Sequence, residues 1–170
     1  MIILGIGSNL HSSFGDRFHN IELAISYLES KKIKILIKSS FYETPSYPND
    51  KDPKFINMVI GISCSLNPSE LASILISAEE KIERKRKFKN EPRTCDIDII
   101  DYNSKIIDFK YKSLNFSVPH INLAYRNFVL IPLKEISPEW IHPKTKEPID
   151  LLIDRLSHAD KKSILKVKKS

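Results

Sequence analysis

The sequence predicts an α+β fold with a ferredoxin-like β-α-β-β-α-β core, a mostly antiparallel sheet and an irregular C-terminal extension. Apolar runs of strand length and two segments with helical apolar spacing follow one another in that order up to about residue 103. Beyond that point, short apolar pieces alternate with prolines. The chain has 170 residues, 41% of them hydrophobic, which suits a single domain with a sizeable core.

The first strand is expected at residues 2–6, an apolar run that ends near two glycines. Asp16 is placed to cap the following helix, whose apolar side chains recur at helical spacing to about residue 30. Lys31 and Lys32 then supply charges that suit a helix C-terminus. Alternating apolar and polar residues from Ile33 predict a strand that continues to Glu43.

The segment 44–54 reads as a loop because it is polar and holds three prolines. A loop of this length beside strand ends is often a substrate lid. Residues 55–64 form the next expected strand, in which Asn57 stands out. A buried amide must be hydrogen-bonded either by the protein or by a ligand. Asn67 and Pro68 then begin the second helix, whose apolar stripe reaches Ile82.

The C-terminal part is less regular. Short extended pieces are expected at residues 106–107 and 114–118, and a helix at 123–136 that Pro132 must break or kink. A last short helix is expected at 149–156. From about residue 161 the lysine-rich end reads as a frayed, solvated basic tail.

Composition narrows the class of protein. The net charge of +6 and pI near 9.2 favour anionic partners, among them nucleotides, nucleic acids and phosphorylated metabolites. Cys64 and Cys95 have neither a disulfide framework nor metal-ligand spacing, so both are expected as buried free thiols. The chain enters a strand at once and has no membrane-length apolar run, which predicts a cytoplasmic protein without membrane contact.

The most informative stretch is the strand around Asp96 and Asp98. Strand side chains alternate, so the two carboxylates share one face, about 7 Å apart at the backbone. Such a pair often only solubilises a sheet edge. The apolar neighbours, with Ile97 and Ile99 facing a core, instead predict an interior strand. Two buried acids need a cation, and Mg²⁺ accepts one or two carboxylates together with phosphate oxygens.

A cationic run, residues 84–89, joins the second helix to this acid strand. Charge runs are usually solvated faces or nucleic-acid patches. This one lies within a few residues of the acids, where its arginines and Arg93 could neutralise phosphate charge. Gly5 and Gly7 do not form a phosphate loop, because neither a Gly-Lys-Ser/Thr nor a dinucleotide spacing follows. They are expected to serve tight packing.

These motifs resemble the 6-hydroxymethyl-7,8-dihydropterin pyrophosphokinase family of folate biosynthesis. The resemblance covers about residues 1–140 in order, and the proline-arginine-threonine stretch with paired aspartates is highly specific. The matching motifs are Gly7-Ser8-Asn9-Leu10, Ser40-Phe41-Tyr42-Glu43-Thr44-Pro45, Phe55-Ile56-Asn57, Pro92-Arg93-Thr94-Cys95-Asp96-Ile97-Asp98-Ile99, Val118-Pro119-His120 and Arg126-Asn127-Phe128.

The resemblance implies transfer of the β,γ-diphosphate of ATP to the pterin hydroxymethyl group by a monomer that binds no nucleic acid. It implies that Asp96 and Asp98 hold two Mg²⁺ ions and act in catalysis with Arg84, Arg86 and Arg93. The implied pterin contacts are Thr44, Pro45, Tyr47, Phe55, Asn57 and Phe128. The implied nucleotide and phosphate contacts are Glu79, Arg84, Arg86, Lys89, Arg93, Ile99, Ser117, His120 and Arg126. Residues 84–89 would belong to a mobile catalytic loop.

This sequence departs from the family pattern at four positions. Phe55 stands where Tyr is frequent, and Ile121 where an aromatic or polar residue is expected. Glu91 replaces the glycine usual before Pro92 and adds a negative charge to the loop. Lys89 stands where Arg is common, which removes a bidentate grip on phosphate. The metal and pterin motifs are intact.

Two alternatives share part of the pattern. An RNA-binding ferredoxin-like module would fit the element order and charge, but it needs aromatic side chains on an open sheet face. Here the central strands carry Ile, Val and paired Asp. A two-metal nuclease would share Asp96 and Asp98. It would leave Asn57, between an aromatic residue and the proline-rich loop, without a role.

Overall fold

A computed structural model describes all residues, 1–170. The strands are β1 (Ile2–Ser8), β2 (Lys34–Lys38), β3 (Phe41–Thr44), β4 (Phe55–Ser63), β5 (Asp96–Tyr102), β6 (Ile107–Tyr111), β7 (Leu114–Val118) and β8 (Leu165–Val167). The helices are α1 (Arg17–Ser30), α2 (Pro68–Lys81), α3 (Asn127–Ile136), α4 (Ile149–Asp154) and α5 (His158–Ser163), with a 3₁₀ turn at Leu123–Tyr125.

The main sheet has six strands in the order β5-β1-β4-β3-β8, with β2 also paired to β4. Its strand pairs are antiparallel, and the order of the first strands is that of the predicted ferredoxin-like core. β6 and β7 form a separate two-stranded hairpin. The predicted α+β fold class is therefore confirmed.

Apolar side chains pack on both faces of this sheet. Alternate residues of β1, such as Leu4, join the larger core beneath α1 and α2. Ile3, on the opposite face, joins a second core built from Val59, Ile100, α3 and α4. The sheet is thus a covered middle layer, and it lacks the open aromatic face that the RNA-binding alternative requires.

The helix starts follow local chemistry. Asp16 accepts a hydrogen bond from the His19 N–H and caps α1 as predicted. Asn67 and Glu70 form a reciprocal capping box at α2, with Pro68 in its first turn. The predicted helix over 123–136 is divided into the 3₁₀ turn and α3, and α3 continues through Pro132 to Ile136. No helix combines the length and apolar character needed to cross a bilayer.

Several expectations need correction. The strand expected over 33–43 is divided into β2 and β3, separated by Ser39 and Ser40, and the Ser39 hydroxyl accepts a hydrogen bond from the Val59 N–H. β5 is an edge strand of the sheet, so the predicted interior position is wrong. Its isoleucines are buried because α2 packs on one face and the α3 side packs on the other.

The expected frayed tail is also wrong. Ser157 caps α5 by accepting from the Asp160 N–H, and β8 then pairs antiparallel with β3. Phe41 lies opposite Val167, and Glu43 lies opposite Leu165. The lysines concealed this strand because their side chains point to solvent while the backbone pairs. The two cysteines are free thiols as expected, with Cys95 fully buried in the core and Cys64 half-buried.

Candidate active site

The site is built on one face of the β5-β1-β4 sheet. Gly7 lies between Asp96 and Asn57 in the strand register, and Gly5 lies between Asp98 and Val59. Directly paired residues share a face, so the two glycines leave a trough beside the carboxylates. A Cβ atom on Gly7 would lie 3.2 Å from Asn57 Oδ1 and 3.4 Å from the Phe55 ring. The predicted packing role of Gly7 therefore belongs to this trough.

Asp96 is held by two arginines. Arg84 donates to Asp96 Oδ1 at 2.6 Å, and Arg93 donates to Oδ2 at 2.7 Å. Burial opposes ionisation of this carboxyl, but the charges of Arg93 and Arg84 outweigh it and hold the pKa of Asp96 well below its usual range. Asp96 is therefore a fixed, ionised acid.

Asp98 has fewer partners. Arg126 donates to Asp98 Oδ2 at 3.0 Å, and His120 Nε2 lies 3.9 Å from the same oxygen. Burial and the negative charge of Asp96 raise the pKa of Asp98 above its usual value, and His120 and Arg126 offset only part of this effect. Burial also lowers the pKa of His120, so its positive charge is disfavoured. The negative charge on Asp98 is incompletely compensated by the protein.

Glu79 lies beneath the acid strand and is 2% exposed. It accepts hydrogen bonds from Arg84, Arg86 and the backbone N–H of Ile97. Burial and the nearby Asp96 raise the pKa of Glu79 to about 7, against the opposing charges of the two arginines. These salt bridges tie α2 to the loop that follows it.

One side of the trough opens into a cavity of about 790 Å³, which we call the acceptor cavity. All six residues predicted to contact the pterin line it: Thr44, Pro45, Tyr47, Phe55, Asn57 and Phe128. The Asn57 side-chain N–H donates to Thr44 Oγ1 at 2.9 Å, which fixes the amide orientation. Tyr47, on the proline-rich loop, is 82% exposed.

Two arginines stack on the two rings of the acceptor cavity. The Arg93 guanidinium carbon lies 4.9 Å from the Phe55 ring centre, and that of Arg126 lies 5.4 Å from the Phe128 ring centre. The same arginines bind Asp96 and Asp98, respectively. Each ring is therefore linked through one arginine to one carboxylate.

A second cavity of about 370 Å³, the nucleotide cavity, lies on the other side of the acids. Asp96 and Asp98 line both cavities. Five residues predicted for the nucleotide and phosphates line the second one: Glu79, Arg86, Ile99, Ser117 and His120. Ser117 Oγ donates to Asp108 Oδ1 across the β6-β7 hairpin, which places this hydroxyl at the rim.

The other residues predicted to contact the nucleotide and phosphates lie outside the nucleotide cavity. Lys89, Arg93 and Arg126 line the acceptor cavity, next to the acids, and do not line the nucleotide cavity. Arg84 lines neither cavity, because its guanidinium also donates to the Cys95 carbonyl oxygen and is buried under the loop. The loop from Lys85 to Asn90 is exposed throughout. Near its start, Glu83 accepts hydrogen bonds from the backbone and hydroxyl of Ser13.

The sequence did not identify some residues that line the acceptor cavity. These are mainly Ser46, Asn122, Tyr125, Asn127 and three residues of the C-terminal segment, Ala159, Asp160 and Ser163. Asn127 and Phe128 are adjacent in a motif already recognised, so Asn127 was within reach of sequence reasoning. The C-terminal residues were not, because their position depends on the long-range pairing of β8 with β3.

Asp96 and Asp98 suit a cation whose remaining ligands come from phosphate and water. The protein contains no cluster of three or more His, Cys, Asp or Glu side chains that could hold a metal by itself. Asp96 and Asp98 share one face and border both cavities. Mg²⁺ is commonly bound by one or two carboxylates, with phosphate oxygens and water completing its octahedron. The residues present fit that pattern.

A comparison with protein-family models decides the family. The model for 7,8-dihydro-6-hydroxymethylpterin-pyrophosphokinase (HPPK) matches residues 3–138. The chain belongs to the HPPK family. This confirms the predicted family and enzyme class, a transferase of the pyrophosphokinase step in folate synthesis.

Sequence identity to individual HPPK proteins supports the same family. The chain is 33% identical over 155 residues to the pyrophosphokinase of Synechocystis, covering 91% of this chain and 75% of that protein. It is 36% identical over 148 residues to the pyrophosphokinase of Aquifex aeolicus, covering 87% of each. It is also 36% identical to the folic acid synthesis protein fol1 of Schizosaccharomyces pombe, but it spans only 20% of that protein's length.

The fold is shared with solved HPPK structures. The wild-type HPPK-DHPS protein of Plasmodium falciparum, solved with SDX-DHP, superposes with a TM-score of 0.69 at 16% sequence identity. The match covers 91% of this chain and 43% of that one. At this identity the likeness supports the fold.

Proposed function

We propose that this chain transfers the β,γ-pyrophosphoryl group of ATP to the hydroxymethyl group of 6-hydroxymethyl-7,8-dihydropterin and releases AMP. The observation that carries this proposal is the position of Asp96 and Asp98 between two cavities of different chemistry. The acceptor cavity offers two aromatic faces and a directed amide, with Lys89, Arg93 and Arg126 next to the acids, and the nucleotide cavity offers apolar side chains, Arg86 and a polar rim. This arrangement suits two substrates that meet at the acids.

In the acceptor cavity, Phe55 and Phe128 would bind the two faces of the pterin. A flat, polar heterocycle binds well between aromatic rings when a few hydrogen bonds fix its edge. Asn57 supplies such an edge, because its side-chain N–H is already bound to Thr44 and its carbonyl oxygen faces the trough. Thr44, Pro45 and Tyr47 would form the loop over the bound ring.

In the nucleotide cavity, Ile99, Ser117 and His120 would contact the adenosine part of ATP. Glu79 and Arg86 line this cavity next to the acids, Arg84 is bound to Asp96, and all three would contact the phosphates. Arg84 and Arg86 are both paired with Glu79, and Arg84 is also paired with Asp96. Movement of the exposed loop that carries Arg86 and Lys89 would bring their charges onto the phosphates, and Arg93 and Arg126 approach from the acceptor side.

We further propose that Asp96 and Asp98 bind two Mg²⁺ ions together with ATP. When bound, Mg²⁺ neutralises phosphate charge and aligns the oxygens for an in-line transfer. The protein's own contribution is positioning. Arg93 and Arg126 would exchange their present carboxylate partners for phosphate oxygens, which keeps positive charge where negative charge develops. This proposal needs no strong general base, and we name none.

The chain is proposed to act as a single domain and as a monomer without nucleic acid. The two apolar cores lie on opposite faces of one continuous sheet, which supports one domain over residues 1–170. The C-terminal segment joins the same sheet through β8.

The decisive experiment is product analysis. The purified chain is incubated with ATP and Mg²⁺, with and without 6-hydroxymethyl-7,8-dihydropterin, and nucleotides are separated by chromatography. We expect AMP and the pterin diphosphate in equal amounts, only when the pterin is present. Formation of ADP, or release of AMP at the same rate without pterin, would contradict the proposal. Omission of Mg²⁺ tests the metal requirement separately.

A further inference from the structure

The end of the chain returns to the acceptor cavity. We call residues 157–167 the C-terminal strap; it contains α5, the buried Ile164 and β8. The family model's match ends at residue 138, so the strap lies beyond it. Ala159, Asp160 and Ser163 line the acceptor cavity. The strap is therefore part of the wall of that cavity.

A buried amide joins the strap to α3. Asn127 is 9% exposed, and its Nδ2 donates to the Asp160 carbonyl oxygen at 2.7 Å and to Ser163 Oγ at 3.1 Å. Ser163 Oγ donates to the same carbonyl oxygen at 3.0 Å. Asn127 is the first residue of α3 and directly precedes Phe128. These bonds, which we call the latch, fix the backbone that carries the Phe128 ring.

The other end of the strap holds the opposite wall. β8 pairs with β3, and β3 ends at Thr44, the hydroxyl partner of Asn57. Lys166, within β8, also lies 3.5 Å from Glu135 Oε1 of α3. The strap thus connects the end of β3 with the start of α3, the two places from which Thr44 and Phe128 face the acceptor.

The strap has no corresponding contact with the nucleotide side. None of its residues lines the nucleotide cavity. A change in the strap should therefore alter the acceptor cavity while leaving the residues of the nucleotide cavity in place. This asymmetry separates a positioning role from a general contribution to stability.

We propose that the C-terminal strap positions the pterin acceptor, with Asn127 as the positioning residue that connects the strap to Phe128. The inference rests on the proposed function, since it concerns the substrate of that site. The latch orders one ring of the pocket before the pterin arrives. Preorganisation of this kind strengthens binding because less freedom is lost when the complex forms.

The test uses Asn127→Asp in the full-length chain. This change keeps the shape but removes both N–H donors and sets an acceptor against the Asp160 carbonyl. We expect the KM for pterin to rise about tenfold, as for the loss of two ordinary hydrogen bonds, with the KM for ATP within about twofold. Ser163→Ala should raise the pterin KM about threefold. The double variant should resemble Asn127→Asp alone, because both changes open the same latch.

The matched control is Asn67→Ala. Asn67 also stands at a helix start and hydrogen-bonds with its side chain, but it lies outside both cavities. Loss of this cap should lower Tm while both KM values stay unchanged. Asn127→Asp variants that lose affinity for ATP and pterin equally, or that lower Tm at an unchanged pterin KM, would overturn the proposal.

If Asn127→Asp does not fold, hydrogen exchange on the unmodified chain tests whether the strap positions the pterin. Addition of pterin with a non-hydrolysable ATP analogue should slow exchange of the β8 amides, and the C-terminal turn of α1 serves as the reference. Unchanged β8 exchange with bound pterin would overturn the proposal. Failure of the unmodified chain to bind pterin at all would instead refute the proposed function.

Discussion

Two series of contacts connect the acceptor cavity with β5. They differ in how many cationic partners the carboxylate at the end of each series has. Phe55 connects through Arg93 to Asp96, and Phe128 connects through Arg126 to Asp98. Asp96 has Arg84 as a second guanidinium partner, whereas Asp98 has only the more distant His120. Burial opposes ionisation of both acids; the charges of Arg93 and Arg84 outweigh it and lower the pKa of Asp96, whereas burial and the charge of Asp96 raise the pKa of Asp98.

The difference teaches how the same residue type, two positions apart, can serve two purposes. Asp96 is part of an ion-pair network that organises the loop, α2 and β5. Asp98 lies at the end of that network, where a negative charge still lacks compensation. A divalent cation would gain more from Asp98, while Asp96 must first share or release an arginine. The two acids are therefore expected to respond differently to substitution.

The largest effect is expected from Asp98→Ala. Loss of the under-compensated carboxylate should reduce turnover by about 10³-fold, since metal-bound charge stabilisation is worth several kcal/mol. Steady-state AMP formation measures the rate, and circular dichroism should show an unchanged fold. Asp154→Ala, an exposed acid on α4, is the control and should retain full activity. Retention of the rate by Asp98→Ala would remove this residue from the metal site.

Arg84→Ala removes the contact that distinguishes the two acids. We expect turnover to fall about 10²-fold, with a smaller change in the KM for ATP, because a cation beside developing phosphate charge acts mainly on the transition state. Lys85→Ala is a neighbouring control on the exposed part of the loop. An effect confined to the ATP KM would make Arg84 a simple phosphate anchor.

Gly7→Ala tests the trough that lies beside Asp96 and Asp98. The added methyl group would meet Asn57 Oδ1 at 3.2 Å and the Phe55 ring at 3.4 Å. We expect the pterin KM to rise about tenfold, roughly the loss of one well-placed hydrogen bond to the substrate edge. Gly5→Ala is the matched control, since its new Cβ would meet only Ile100 at an ordinary 3.4 Å. An equal rise in the pterin KM for Gly7→Ala and Gly5→Ala would contradict a specific role for the space beside Gly7.

The smallest effect is a difference in stability between Asp96→Asn and Asp98→Asn. At neutral pH, Asp96→Asn should lower Tm by a few degrees, since it weakens two partly buried ion pairs worth about 1–3 kcal/mol together. Asp98→Asn should leave Tm unchanged or raise it, because it removes an unfavourable charge. Calorimetry in metal-free buffer measures both.

The same pair predicts the pH dependence of stability. The folded-state pKa of Asp96 is depressed, so its contribution is present above the ordinary carboxyl pKa and is lost as pH falls through the folded value. The raised pKa of Asp98 has the opposite sign and lowers stability as pH rises through it. Asp96→Asn should therefore flatten the loss of Tm in acid. An unchanged profile would contradict the assigned ion pairs.

Much of the fold could be predicted because its signals are local. Helix caps at Asp16 and Asn67, the spacing of apolar residues, and the alternation around Asp96 depend on neighbouring residues only. All six pterin contacts predicted from motifs converge on one cavity. Their roles remain predictions, which the experiments above address.

The features that the sequence does not predict lie where distant parts of the chain meet. The edge position of β5 depends on which strands join the sheet, and burial of Ile97 and Ile99 by helices gives the same apolar pattern as an interior strand. From about residue 161 the lysine-rich composition predicts a frayed tail, although these residues belong to the strap. Its order comes from backbone pairing to β3 and from Asn127, neither of which leaves a mark in the local sequence.

The sulfur atom next to the acid pair has a separate consequence. Cys95, the residue before β5, is fully buried in the core that includes α2, and burial raises the pKa of its thiol well above the usual value. Since the thiolate is the reactive form, this thiol is protected from oxidants and alkylating reagents while α2 and β5 stay together. The alkylation rate of Cys95 therefore reports how often β5, which carries both carboxylates, separates from the core. The half-buried Cys64 serves as the reference thiol.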